Sequence, residues 1–374
     1  MSNCAPAYLI IYRMDQDNDT YSYLYGSKES EDFFCATLLL ITCLFGILVN
    51  FFSAIILLRL RVFNSAFGLL ASFNALSNCG VLATFVFWAV PLTYLEISDH
   101  VQRVNHLIGQ ISLFFWFNCL HITVLISLNR LFAISFPASY RKYFTITSSK
   151  ISISFINVIS FLYFCVYFID GCDFKYDEST MIWTFGTEPC GLWLSTNIDL
   201  RYGVIAFAIS SFIDIMTLVQ LRMANTKLTH IRISSRQSEN DAVKIQKREV
   251  TFFLQSFVNT LMFCGMLVCF HIISYWPFVA SSRFASFLST TYVWGFSHTV
   301  SGLTLVIFNK EIRRRLLHPS DFLRTDTIST KFNNPMQPSV ITVSAFQTNG
   351  PRYNNSFGKK AFAHQTMSLS TKDI

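Results

Sequence analysis

Apolar positions fall in seven long blocks along the chain, at about residues 33–58, 67–95, 107–133, 151–170, 203–221, 250–275 and 284–308, separated by shorter polar stretches. Each block is near the length a bilayer asks for, since a hydrocarbon core about 30 Å thick needs roughly 20 residues at about 1.5 Å rise each. Strands are excluded because an open sheet edge has no partner in lipid, and internal Gly46, Pro91, Gly265 and Gly302 are tolerated in spanning helices. The pattern therefore predicts an all-α membrane protein, a seven-transmembrane helix bundle over 33–309. An acidic segment, 1–32, precedes it. A short amphipathic stretch, 310–318, and a Ser/Thr/Asn/Pro-rich tail, 319–374, follow. With no basic, cleavable leader at the start, the first helix is expected to act as the membrane signal.

Composition agrees: 52% of the 374 residues are hydrophobic, 39 are Phe, and only 14% are charged, where a soluble domain carries about 25% charge. The distribution of Lys and Arg gives the expected orientation. Arg13, Lys28, Arg103, Lys175, Arg201 and Arg283 are scattered over one side. The other side clusters Arg59 and Arg61, then Arg130, Arg141, Lys142 and Lys150, then Arg222 through Arg248, then Lys310 and Arg313 to Arg315. Positive-inside puts the clusters in the cytoplasm, the N terminus outside and the C terminus inside. Asn18, in Asn18-Asp19-Thr20, is then a glycosylation sequon on the outer side. The net charge of +7 is accounted for by the inner face, and nothing in it points to nucleic acid.

Seven cysteines lie within spans and read as small buried hydrophobes. Cys172 and Cys190 bracket the longest outer loop, "DFKYDESTMIWTFGTEP", and are the favoured disulfide, with pairing of either one to Cys4 as the alternative. Ionisable or polar groups at membrane depth usually face the bundle interior, so Asn118, His121, His271, Tyr275, Trp294 and His298 are the ligand-pocket candidates. For each histidine an interhelical hydrogen bond is the competing role. Asp214 reads as inner-half packing or gating, and Asn50 with Asn78 as a polar knot between the first two helices.

Arg130, at the inner end of the third helix in "SLNRLFAISFP", would by itself be a snorkelling anchor. In company it means more. "NRL", the following "FPASYRKYFT", Gly46 and Asn50 in "FGILVN", and the amphipathic "FNKEIRRRLL" resemble the G-protein-coupled receptors. Asn129 stands where the rhodopsin-like class usually has an acid. "SGLTL" replaces NPxxY, CWxP is absent from helix six, and no cysteine opens helix three. Those departures, with "NSAFGLLASFNALSNCGVLATFVFWAVPLT", "GQISLFFWFNCLHITVLISLNRLFAISFPASYRKYFT" and "WTFGTEPCG", resemble nematode chemoreceptors of serpentine receptor class X over residues 33–315.

The resemblance implies a chemosensory receptor that binds a small molecule from outside and activates a heterotrimeric G protein inside, without cofactor or metal. Asn129 and Arg130 would face the G protein. Glu249, at the inner start of helix six and at the membrane level of Arg130, has two readings from its position: a latch on Arg130 at rest, or a solvated residue pairing with Lys or Arg of its own charged loop. Tail clusters such as "RTDTIST" suit receptor kinases and an arrestin. The expected location is the plasma membrane, with the sensory cilium as a specialised case. Two rivals fit less well. A membrane zinc hydrolase needs paired ligands on one helical face, and HxxH, HExxH and HxxxH are all missing. A transporter commonly shows two related halves, which an odd count without internal repeat opposes, and a seven-span ligand-gated channel has the reverse orientation.

Overall fold

The computed structural model describes residues 27–59, 64–94, 101–232 and 239–317, apart from the side chains of 102 and 224–253. Seven long helices cross it: α1 (Lys28–Arg59), α2 (Ala66–Tyr94), α3 (Gln102–Ser135), α4 (Ile146–Val166), α5 (from Pro189, through Leu194–Tyr202 and Gly203–Arg232), α6 (Glu239–His271) and α7 (Arg283–Phe287, Leu288–Tyr292 and Val293–Phe308 end to end). The short α8 (Lys310–Leu317) follows. Among the described residues, six of the seven are long and apolar enough to cross a bilayer. The seventh is broken into three by a π-helical stretch, Leu288–Tyr292.

Local sequence explains the ends. Ser65 caps α2 by accepting from the Gly68 N–H, and Ser282 caps α7 by accepting from the Ala285 N–H. Thr145 and Ser148 form a reciprocal capping box on α4. Pro137 and Pro189 stand in first turns, where the missing N–H costs nothing. Asn309 ends α7 and opens α8, its Oδ1 accepting from the N–H groups of Glu311 and Ile312. Ile312 then buries against Ala54, Leu57, Ala71 and Leu305, and Glu311 pairs with Arg314 and Arg315.

The helices close a ring, α1 on α2 and α7, α6 on α5 and α7, with α3 at the centre against α2, α4 and α5. α1 and α7 approach most closely where Gly46 faces Thr299 and Gly302 faces the Asn50 carboxamide, so that a Cβ at either glycine would overlap its neighbour. The lining of the ring is apolar and aromatic, with Trp116, Phe117, Phe85, Phe207 and Phe263 almost fully buried. Phe155, Phe161, Phe212 and Ile215 are exposed on the outer faces of α4 and α5, as a lipid-facing surface requires.

Most helix limits fall within a few residues of the hydropathy blocks, but α5 does not. It starts at Pro189, the last residue of the loop between Cys172 and Cys190, instead of near 203, because the polar "LSTNIDLRY" coils as a π-helix whose Ser195 and Asp199 face the interior. α6 ends at His271; Ile273–Tyr275 is a separate 3-10 turn before Pro277, so Tyr275 does not continue the face of His271.

Candidate functional site

One end of the bundle is closed by the loop between α4 and α5. Its residues Phe174–Asp177 (β1) and Ile182–Phe185 (β2) pair antiparallel, Phe174 opposite Phe185 and Tyr176 opposite Trp183. The turn between them is tied by Asp177, which accepts from Ser179 and Thr180. Strand alternation puts Phe174, Tyr176, Trp183 and Phe185 on one face, and that face is buried in the ring of helices. Asn105 of α3 pairs with both backbone groups of Tyr176, at 2.7 and 3.1 Å. The Tyr176 hydroxyl meets Thr93 at 2.7 Å, and burial pushes its phenol above the usual range. Thr291 of α7 bridges Met181 and Trp183. A disulfide joins Cys172 to Cys190 at the base. Arg283, buried at the start of α7, donates to Ser179 and Glu178 carbonyls in the turn and pairs with Asp32 of α1, with Glu31 at 4.0 Å. The hairpin is thus a plug held from α1, α3 and α7.

Beneath Phe174 lies a narrow crevice lined by Leu113 and Trp116 of α3, Asp199 of α5, Met266, Leu267 and Phe270 of α6, and Trp294 of α7. Asp199 is its one carboxylate. Trp116 donates its indole N–H to Oδ1 at 2.9 Å, and His271 Nε2 lies 2.8 Å from Oδ2. Trp116 also packs edge-on against Trp294 and against His298.

From Trp294 a chain of hydrogen bonds descends through the core. Its indole N–H donates to His298 Nε2 at 3.1 Å, and His298 Nδ1 meets Asn78 Oδ1 at 2.7 Å. Asn78 Nδ2 reaches Asn50 Oδ1 and Ser301 Oγ. Ser301 also accepts from Asn259 of α6, whose Oδ1 accepts from Thr304. The chain is buried except at half-buried Asn259, and His298, Asn50 and Asn78 have no solvent exposure.

Asn259 is also part of the wall of a second, more polar cavity nearer the other end, with Asn74, Thr123, Arg130, Gln255 and Ser256. Arg130 is 8% exposed and lies over the Phe67 ring at 5.4 Å. Asp214, buried on α5, sits beside Ser127 and Ser256 and within electrostatic reach of Arg130.

The seven-helix ring has a counterpart among known folds. Squid rhodopsin is similar in structure, with a TM-score of 0.63 at 13% identity, covering 83% of this chain and 93% of that one. At the level of sequence the chain is 25% identical over 330 residues to serpentine receptor class X 45 of Caenorhabditis elegans, covering 85% of this chain and 89% of the relative. The family model described as the serpentine type seven-transmembrane G-protein-coupled chemoreceptor Srx matches residues 40–309.

The chain belongs to the Srx family of serpentine chemoreceptors. It is a multi-pass membrane receptor of the G-protein-coupled kind with a rhodopsin-like fold, and membership implies a small-molecule ligand and a heterotrimeric G protein as partners.

Within this receptor the residues singled out from sequence separate into three places. Trp294 lines the outer crevice, His271 holds the carboxylate of that crevice, and His298 carries the first step of the descending chain. Asn118 and His121 point elsewhere: Asn118 faces Asn157 of α4 at 3.5 Å, and His121 meets the Tyr202 hydroxyl at 2.7 Å and stacks near Tyr163. Tyr275 is on the turn after α6. Arg130 and Asn129 are buried at the second cavity's end of α3. Asn18 and the side chain of Glu249 lie outside the described residues, as does the tail.

Sequence reading missed Asp199 as a site residue. It sits in a stretch too polar to register as a span, "LSTNIDLRY".

Proposed function

We propose that a small molecule binds in the crevice around Trp116, Asp199, Phe270 and Trp294, beneath the hairpin, and that the receptor answers at the cavity around Arg130. The observation that supports this most is the Trp294–His298–Asn78–Ser301–Asn259 chain, because it physically joins a wall of one cavity to a wall of the other. A ligand that displaces Trp294 changes the partner of His298. Two alternative hydrogen-bond patterns of one network make a two-state element, and the ligand shifts it by its differential affinity for the two states.

On this reading the N-terminal segment 1–32, carrying the Asn18 sequon, is outside and the tail 319–374 is inside, at the plasma membrane, including that of a sensory cilium. The basic inner loops, Asn129 and Arg130 face the G protein. Glu249 is a second candidate partner for Arg130, alongside Asp214. Ser and Thr clusters in the tail serve kinases and an arrestin through added negative charge. His121 with Tyr202, and Asn118 with Asn157, fix α3 against α5 and α4 and support the pocket from behind.

The test is second-messenger output, by cAMP and calcium reporters, in cells expressing the receptor or Arg130→Ala against a panel of small volatile and secreted compounds. A response present in the first and lost in a well-expressed Arg130→Ala receptor supports the proposal. A membrane current that needs no G protein and survives the substitution overturns it.

A further inference from the structure

The hairpin fills the space that it covers. Phe174, Tyr176 and Trp183 are at most 2% exposed, and their rings stand among the helices. Trp183 lies 5.6 Å from Phe85 of α2 and 6.1 Å from Trp294 of α7, and Phe174 lies 5.9 Å from Trp294. The crevice left beneath them has room for about one water molecule. A small molecule that acts on Trp294 therefore needs the hairpin to give way first.

Its two strands are held unequally. β1 is clamped to its neighbours: Asn105 pairs with both backbone groups of Tyr176, the Tyr176 hydroxyl meets Thr93, and the Phe174 carbonyl comes so close to Gly109 that a Cβ there would overlap it. Among the described residues β2 is hydrogen-bonded to the helices by Thr291 alone, which donates to the Met181 carbonyl at 2.8 Å and accepts from the Trp183 backbone N–H at 3.3 Å. The same strand carries what docking leaves unsettled. The Trp183 indole N–H is buried with no hydrogen-bond partner, and such a donor is costly to leave unmet. Met181, which leads into β2, is held at a φ of 57°, the left-handed region that a side chain with a Cβ disfavours. A shift of β2 relieves both.

We infer that β2 is an internal wedge that holds the receptor at rest: Trp183 presses Trp294 onto His298, and a ligand acts by binding the arrangement in which β2 has moved and the crevice has widened. Trp294 is the ring whose N–H heads the descending chain, so the wedge controls the chain at its first link. The ends of the hairpin stay in place, since the Cys172–Cys190 disulfide ties the base and Arg283 ties the turn. The moving part is Met181 with β2. A ligand shifts the balance by its differential affinity for the widened crevice. This inference rests on the crevice being the ligand site and adds the element that governs access to it.

The experiment uses the full-length receptor in lipid nanodiscs, with Thr123→Cys in the wall of the second cavity. The rate at which a charged, water-soluble methanethiosulfonate labels position 123 is measured, and labelling of the receptor without Thr123→Cys is subtracted. Thr291→Val keeps the size of its side chain while removing both hydrogen bonds to β2, and Trp183→Ala removes the wedge itself. Each should speed labelling about fivefold or more, as a shift toward the open arrangement requires. Trp183→Phe, which keeps a ring against Trp294, should fall between the parent and Trp183→Ala. Basal second-messenger output in cells, normalised to surface receptor, should rise in the same order. If one of the two main variants does not reach the surface, the other carries the test. Equal labelling in all of these proteins overturns the inference, and so does a measurable basal output that stays level or falls when the wedge is removed. Faster labelling with no second-messenger output from any version keeps the wedge and removes the signalling role proposed for the site.

Discussion

Trp294 and His298, one turn apart on α7, are joined by a hydrogen bond of 3.1 Å from the indole nitrogen to Nε2. An indole N–H can only donate, so Nε2 accepts and the proton of the imidazole is on Nδ1. The network demands the same tautomer from its other end. Asn50 Nδ2 donates to the carbonyls of Gly46 and His298, which fixes Oδ1 toward Asn78 Nδ2 and leaves Asn78 Oδ1 to accept from His298 Nδ1. Each donor finds an acceptor, and the ring is neutral. A protonated His298 would put its Nε2–H nose to nose with the Trp294 N–H.

His298→Ala should therefore destabilise beyond the loss of packing. It orphans the Trp294 N–H and one acceptor site of Asn78, and each buried unsatisfied group costs about 1–3 kcal/mol. Trp294→Phe removes the donor and should recover part of that loss, so the double variant will be less damaged than the sum of the singles. Thermal unfolding of the four proteins in one detergent gives the coupling; strict additivity would show that the indole and imidazole do not act together.

Arg283 gives a prediction of the opposite electrostatic kind. It is 3% exposed and meets Asp32, with Glu31 at 4.0 Å, while also donating to two carbonyls of the hairpin turn. Removing one partner of a buried ion pair costs about 3–5 kcal/mol because the remaining charge is left unmatched. Arg283→Met should sharply reduce surface expression, measured by antibody to an N-terminal tag. Adding Asp32→Asn should recover some of it. The hairpin's other tether tests independently: reducing the Cys172–Cys190 bond, which spans a separation of 18 residues, removes a constraint of about 3 kcal/mol. Dithiothreitol should lower the unfolding temperature of the receptor but not that of a Cys172→Ser, Cys190→Ser variant.

Much of this was legible in the sequence, for reasons that can be named. Spans such as 33–58 and 107–133 announce themselves because lipid leaves a helix no alternative to an apolar surface. Gly302 and Asn50 were visible as a glycine and a polar knot, although their contact with each other needed three dimensions. The hairpin plug was hidden: "FKYD" and "IWTF" are too short for a period-two signal to stand out, and their burial depends on a cavity made by helices far away in the chain. Asp199 was hidden by its polar neighbours, whose π-helical winding turns Asn197 and Arg201 outward while Asp199 faces in. For Arg130 the sequence offers Glu249, at the charged inner loop, as a partner, and the side chain of Glu249 lies outside the described residues. Asp214, one isolated acid inside an apolar run, comes into reach of Arg130 only through the packing of α5 on α3.

That packing leads to the last prediction. Asn129 cannot neutralise Arg130, and the acid within electrostatic reach comes instead from α5, where Asp214 lies beside Ser127 and Ser256. The three residues belong to α3, α5 and α6, so the attraction holds together helices that must separate at this end for a partner to enter. Asp214→Asn keeps the size and most hydrogen bonds while deleting the charge. If the attraction favours the closed packing by about 1 kcal/mol, its loss raises the open population about fivefold. Basal second-messenger output of Asp214→Asn, normalised to surface receptor, should rise by that factor with no ligand added. Asp214→Glu should fall between the two, retaining charge but pushing an extra methylene into a packed site. Basal output in Asp214→Asn equal to that of the parent receptor would show that Arg130 is held by something else, and Glu249→Ala is then the variant whose basal output should rise.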